Sequence, residues 1–265
     1  MGNKQINENK YHQSQNLKPY DPFNPGKRYI IIMRHGERID NIDKKKQLLP
    51  KEDPELTKKG IDQASSIGKK LKENYFKDIE INEMNILSSP STRTIMTAIY
   101  AANSLNEKVF KNLCFITNLA EIGVNGGFKN NKEESPIYYY INTDNQYKKL
   151  WEQFIIKPTK NNNYHFSRFD FASNLNHSEN PKEIEDRCKK VMDSILTYTS
   201  TCRENTLNLA VTHQLSICVM VEHCFKIMGI EYNSESLHCS YCSTYCFVFN
   251  GNKLEFLGDL KPDDL

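Results

Sequence analysis

Residues 29–38 read Tyr29-Ile30-Ile31-Ile32-Met33-Arg34-His35-Gly36-Glu37-Arg38. A short, unbroken apolar run that stops abruptly at charged residues suits a strand covered on both faces of a parallel sheet. Two further runs share this form. Asn85 to Leu87 leads into Ser88-Ser89-Pro90-Ser91-Thr92-Arg93, and Leu207 to Val211 leads into Thr212-His213. Each run is followed by a helical pattern, so the chain is read as a series of βα units, an α/β protein with a mostly parallel sheet.

The helical patterns carry their own end signals. Ile61, Ala64, Ile67 and Leu71 recur at helical spacing behind Thr57, an N-cap. Ser89-Pro90 is a cap and first-turn pair for a helix through Ala102. Ile184, Cys188, Val191, Met192, Ile195 and Leu196 form an apolar stripe behind Asn180-Pro181. A fourth helix runs from Leu215 to Met228 and stops at Gly229. Towards the end, Thr244 to Phe249 and Leu254 to Leu257 flank Asn250-Gly251, the signal of a hairpin.

The remaining segments are less regular. Residues 1–26 are rich in Asn, Lys and Gln and read as a disordered polar arm, with one folded domain over residues 27–265. Between about residues 124 and 179 the pattern loosens. That segment, with Tyr138, Tyr139, Tyr140, Trp151, Phe154, Phe166, Phe169 and Phe171, is expected to be a partly helical, aromatic-rich insertion over one end of the sheet.

Composition excludes several classes. The 35 basic and 33 acidic residues leave a net charge of +2, with none of the basic excess that nucleic-acid binding requires. No apolar run reaches the roughly 20 residues of a transmembrane span, and the N-terminus lacks the apolar core of a secretory signal. A cytoplasmic protein with its eight cysteines reduced is therefore expected. Gly2 is a weak match to an N-myristoylation site, because Ile6 stands where the pattern wants Ser or Thr.

The chemistry is concentrated where the three apolar runs end. Ligands of open α/β sheets bind outside the carboxyl ends of the strands. That rule gathers Arg34, His35, Arg93 and His213 on one patch, each at a strand exit or in a first helical turn. Singly, each motif is commonplace. Together, two guanidiniums and two imidazoles make a clamp for the oxygens of a phosphoryl group.

Arg34-His35-Gly36, Leu56-Thr57 with Gly60 and Ala64, Ser88-Ser89-Pro90 with Arg93, Thr97 and Ala98, then Glu121 and Thr212-His213 resemble the histidine phosphatase superfamily. The resemblance runs from about Arg28 to the C-terminus. Residues Arg34 to Asp40 are most similar to the catalytic domain of the suppressor-of-T-cell-receptor-signalling and ecdysteroid-phosphate phosphatases. It implies a phosphoglycerate mutase-like three-layer sandwich, a phosphorylated small molecule or phosphoprotein as substrate, and a homodimer.

The implied reaction is phosphomonoester hydrolysis through a phosphohistidine on His35, with no cofactor and no metal. Arg34, Arg93 and His213 would stabilise the phosphoryl oxygens, and Arg38 would extend the clamp. A poor leaving group also needs a proton donor. One branch of the superfamily places an Asp directly after the second His, but here Gln214 follows His213. Glu121 matches the acid of the other branch, with Glu37 as the next candidate.

Three rival readings are weighed. Mutases of the family follow R-H-G-E with a small polar residue and Trp-Asn, whereas this chain has Arg38-Ile39-Asp40. A sugar-bisphosphatase stays open. A non-catalytic phosphate-binding scaffold is disfavoured, because His35, Arg34, Arg93, His213 and Glu121 are all present. Finally, His223-Cys224 and His238-Cys239-x-x-Cys242-x-x-x-Cys246 contain one C-x-x-C pair but no second pair, so these cysteines are read as core residues rather than zinc ligands.

Overall fold

The computed structural model describes residues 26–49, 53–109, 111–120, 149, 152–153, 157, 164–168, 179–231, 237 and 239–263. The run that opens the sequence is β1 (Lys27–Arg34), and it lies inside a seven-stranded sheet. Its side chains alternate between two apolar clusters. Tyr29, Ile31 and Met33 face one, and Ile30 and Ile32 face the other. Burying one such isoleucine is worth about 1.5–3 kcal/mol, so a strand apolar on both faces is driven to the centre of the sheet.

The other strands are β2 (Glu83–Ser88), β3 (Lys111–Phe115), β4 (Tyr164–Arg168), β5 (Thr206–Thr212), β6 (Thr244–Asn250) and β7 (Lys253–Leu260). Their order is β4-β3-β2-β5-β1-β6-β7. The first five run parallel; β6 is antiparallel to β1, and β7 to β6. The hairpin expected at Asn250-Gly251 joins β6 to β7, and Gly251 takes the left-handed φ of +63° that such a turn needs.

Helices cover both faces. α1 (Lys58–Tyr75) and α2 (Thr92–Leu105) pack on the face of Tyr29, Ile31 and Met33. α3 (Pro181–Thr201) and α4 (Gln214–Ile227) pack on the other. The expected three-layer α/β architecture is what the chain forms. Thr57 caps α1 by accepting from the Gly60 N–H, and Asn180 and Glu183 close a capping box on α3.

Three expectations need correction. The cap of α2 is Ser91 rather than Ser89, because the Ser89 hydroxyl is engaged by His213 instead. Strands β3 and β4 carry no strong apolar signal, yet they extend the sheet. β4 lies inside the segment read as an insertion, most of which is outside the described residues. Lastly, Cys218 is disulfide-bonded to Cys239, with Cα atoms 6.9 Å apart, so the eight cysteines are not all thiols. The pairing arises because α4 and the segment before β6 lie side by side.

Candidate active site

The site is built by register. Arg34 ends β1 opposite Thr212 at the end of neighbouring β5, so the next residues, His35 and His213, emerge together. The His35 N–H donates to the Thr212 carbonyl at 3.0 Å, and the two ring centroids are 5.3 Å apart. On the other side of β5, Ser88 is opposite Val211, which brings Ser89 beside His213. The Ser89 hydroxyl lies 2.9 Å from His213 Nε2. Arg93, in the first turn of α2, reaches His213 Nδ1 with Nη2 at 3.4 Å. Four of the residues singled out in the sequence thus meet at the carboxyl edge of the sheet: Arg34, His35, Arg93 and His213.

His35 is buried and oriented. Its Nδ1 lies 2.8 Å from the Gly36 carbonyl, an acceptor, so Nδ1 carries the proton and Nε2 keeps a lone pair. Burial holds the pKa of His35 well below the ordinary imidazole value, and the positive charge of Arg93 adds to this. His213 is depressed in the same way, by burial first and then by Arg93 and His35. Both rings are therefore neutral at neutral pH.

The backbone under His35 is tightly packed. A Cβ on Gly36 would lie 2.6 Å from the Gly60 carbonyl oxygen, so only glycine allows the strand exit to rest on the start of α1. The Gly36 N–H donates to Thr97 Oγ1 at 2.9 Å, and the Thr97 hydroxyl donates to the Arg93 carbonyl at 2.7 Å. Opposite, the Cys242 N–H donates to the His35 carbonyl at 3.2 Å.

The other candidates differ in their surroundings. Arg34 donates through Nη1 to the Cys239 carbonyl, and its guanidinium carbon is 4.4 Å from the Tyr241 ring centroid. Arg38 holds Asp40 in a two-pronged pair at 2.8 and 2.5 Å and adds positive charge near both histidines. Glu37 accepts from the Thr57 hydroxyl at 2.8 Å, which ties it to the cap of α1. Glu121 lies outside the described residues. The turn just before it is fixed by the Thr212 hydroxyl donating to the Leu119 carbonyl at 3.0 Å, and by Arg187 donating to the Asn118 and Ala120 carbonyls.

The cysteine cluster divides between the two cores. Cys224 lies in the α3–α4 cluster, whereas Cys242 and Cys246 lie in the α1–α2 cluster across the sheet. His223 pairs with Asp193 at 2.7 Å, and His238 is outside the described residues. Ser89, Tyr241 and Asp53 belong to this neighbourhood without having been singled out as site residues. The Ser89-Pro90 motif points only to a helix cap; Asp53 and Tyr241 carry no sequence signal, since only tertiary packing brings them in.

An α/β sandwich with paired histidines and arginines at the carboxyl edge of its parallel strands is the class that fold and site define. Residues 30–125, from β1 through β3, match the model of the histidine phosphatase superfamily (branch 1), as the sequence resemblance implied. Among solved structures, the chain is similar to the ecdysone phosphate phosphatase, EPPase, from Bombix mori in complex with tungstate. The TM-score is 0.61 at 15% identity, covering 90% of this chain and 95% of that one. It is also similar to phosphoglycerate mutase from Bacillus anthracis str. Sterne, with a TM-score of 0.50 at 20% identity over 88% and 92% of the two chains. At these identities the likeness is one of fold. A search of curated proteins finds no match to this sequence.

Proposed function

We propose that this protein is a phosphomonoesterase that works through a phosphohistidine on His35. The observation that carries the reading is the hydrogen bond from His35 Nδ1 to the Gly36 carbonyl, which leaves Nε2 as the unprotonated nitrogen in a buried, positively charged pocket. The shared fold adds support: the ecdysone phosphate phosphatase is named for a phosphomonoester, and its complex holds tungstate, a tetrahedral oxyanion.

In the first step, the Nε2 lone pair attacks phosphorus and the bond to the leaving oxygen breaks, giving a phosphohistidine and an alcohol or phenol. Arg34 and Arg93 bind the equatorial oxygens as charge spreads onto them. His213 joins them once the Ser89 hydroxyl donates to Nε2, for then Nδ1–H faces the anion. Arg93 Nη2 and His213 Nδ1, 3.4 Å apart, are close enough to share one oxygen. Arg38 extends the positive field. Glu121 is assigned as the donor of a proton to the leaving oxygen. In the second step water attacks phosphorus and the His35–phosphorus bond breaks, with Glu121 as the base. Phosphotyrosine and other aryl or alkyl phosphates are the substrates this chemistry fits.

The test is a panel of phosphomonoesters, with p-nitrophenyl phosphate, phosphotyrosine, phosphoglycerate and a sugar bisphosphate, on wild type and on His35→Ala. Turnover that is lost in a folded His35→Ala variant is the expected result. Wild-type protein that binds phosphate without turning over any of them would leave a scaffold.

A further inference from the structure

Asp53 is a fully buried carboxylate that the reaction above does not use, with only 1% of its surface exposed. It lies in the segment before α1, far in sequence from α2, yet it is bonded to the first residue of that helix. Oδ1 accepts from the Thr92 N–H at 2.8 Å, and Oδ2 accepts from the Thr92 hydroxyl at 2.6 Å. Ser91, the N-cap residue, makes no capping bond with its own side chain. Asp53 therefore supplies from a distant segment the cap that α2 lacks locally, where a negative charge also suits the helix dipole.

The same carboxylate faces the next residue. Asp53 Oδ1 is 3.7 Å from Arg93 Nη1, and both side chains are almost wholly buried. Arg93 in turn reaches His213 with Nη2. One guanidinium thus spans from Asp53, on its Nη1 side, to the paired imidazoles, on its Nη2 side. An arginine has a long stem with many rotamers, and a neighbouring carboxylate restricts where its fork can lie.

We infer that Asp53 is a positioning residue for the phosphoryl clamp: it fixes the Arg93 guanidinium so that Nη2 is aimed at the anion between His35 and His213. The inference rests on the proposed phosphatase reading. Two effects of Asp53 oppose each other. Its charge repels the bound anion, whereas its contact orients Arg93. A ground-state phosphate tolerates a range of arginine positions, so for it the two effects nearly cancel. The transition state demands one position, so there orientation dominates.

The experiment is a double-mutant cycle of Asp53→Asn with Arg93→Ala, read by p-nitrophenyl phosphate kinetics and by calorimetric binding of orthovanadate and inorganic phosphate. Asparagine keeps an acceptor for Thr92 and removes the charge. We expect kcat to fall about tenfold with KM changed less than about threefold, the pattern of an interaction made in the transition state. Orthovanadate, which takes up five-coordinate geometry, should lose affinity about as much as kcat, and phosphate much less. In the Arg93→Ala background, Asp53→Asn should cost almost nothing more.

Additive losses in the cycle would mean that Asp53 merely stabilises the fold, and would overturn the inference, as would wild-type kcat and vanadate affinity in Asp53→Asn. Thr92→Val removes the hydroxyl contact without touching the charge. If it lowers vanadate affinity as much as Asp53→Asn does, the cap and not Arg93 carries the effect, which also overturns the inference. Should Asp53→Asn fail to fold, Asp53→Glu, which keeps the charge and displaces it, is read in the same cycle. Wild-type protein that binds vanadate without turnover would sink the phosphatase reading and leave the binding cycle to judge Asp53. No vanadate binding at all would remove both.

Discussion

Replacing Gly36 by alanine perturbs the backbone directly beneath the proposed nucleophile. The new Cβ would sit 2.6 Å from the Gly60 carbonyl oxygen and 3.1 Å from the Gly60 carbonyl carbon and Cα. These are backbone atoms at the start of α1, so no rotamer change relieves the contact. Ordinary van der Waals contact begins near 3.4 Å, so one segment must yield by about 0.8 Å. The strand exit has little freedom, because the Gly36 N–H is bonded to Thr97 and the Gly36 carbonyl to His35. The shift therefore passes to the His35 ring.

Overpacking of this kind costs about 1–3 kcal/mol, or a fall in Tm of about 4–8 °C at its midpoint for a domain of this size. A displacement near 1 Å costs a reacting group on the order of 100-fold in rate. Gly36→Ala should therefore melt a few degrees lower and lose about 100-fold in kcat on p-nitrophenyl phosphate. Gly229→Ala is the control. It forces alanine into a left-handed φ, of +70°, a strain Gly36→Ala does not impose, but has nothing within 4 Å of its Cβ. It should lose a little stability and keep full kcat. Wild-type kcat and Tm in Gly36→Ala would refute the reasoning.

Three further outcomes are expected. Because burial lowers the pKa of His35 and His213, the unfolded chain binds more protons than the native one as pH drops below about 6.5, and stability should fall there by up to about 1.4 kcal/mol per pH unit for each ring. Urea titrations across pH 5–7 test this, and kcat/KM should show no acid limb at pH 6.5, since it reports the free enzyme. Ser89→Ala leaves His213 Nε2 buried without its partner and should cost about 1–3 kcal/mol and lower kcat; unchanged values in both would detach Ser89 from the site. Arg187→Met strands the buried Glu179 carboxylate, which now takes three contacts of 2.8–2.9 Å, and should cost about 3–5 kcal/mol, only part of it recovered by adding Glu179→Leu, because the Asn118 and Ala120 carbonyls also lose Arg187. Urea denaturation of the single and double variants decides it.

The central sheet was readable because its inner strands are apolar on both faces, and β1, β2 and β5 end in the residues that matter. Position then followed from a simple rule: parallel strands in register deliver their next residues side by side, which is how His35 and His213 meet. Strands β3 and β4 were not readable. Lys111-Asn112-Leu113-Cys114-Phe115 mixes polar and apolar residues, since Asn112 bonds Glu83 and Asn85, and buried Lys111 caps the carbonyls of Glu107 and Val109. The Cys218–Cys239 bond and the reach of Asp53 to Thr92 are tertiary facts with no local pattern. The role of Ser89 is not legible either, because a serine before a proline looks the same whether it caps a helix or holds a histidine.

The most direct measurement is to mix the enzyme with p-nitrophenyl phosphate, quench within the first turnovers into alkali, which preserves phosphohistidine, and locate the phosphoryl group by peptide mass spectrometry. A phosphoryl group on Nε2 of His35, absent from His35→Ala, is the predicted result. Turnover that continues in His35→Ala, or a phosphoryl group on any other residue, would contradict it.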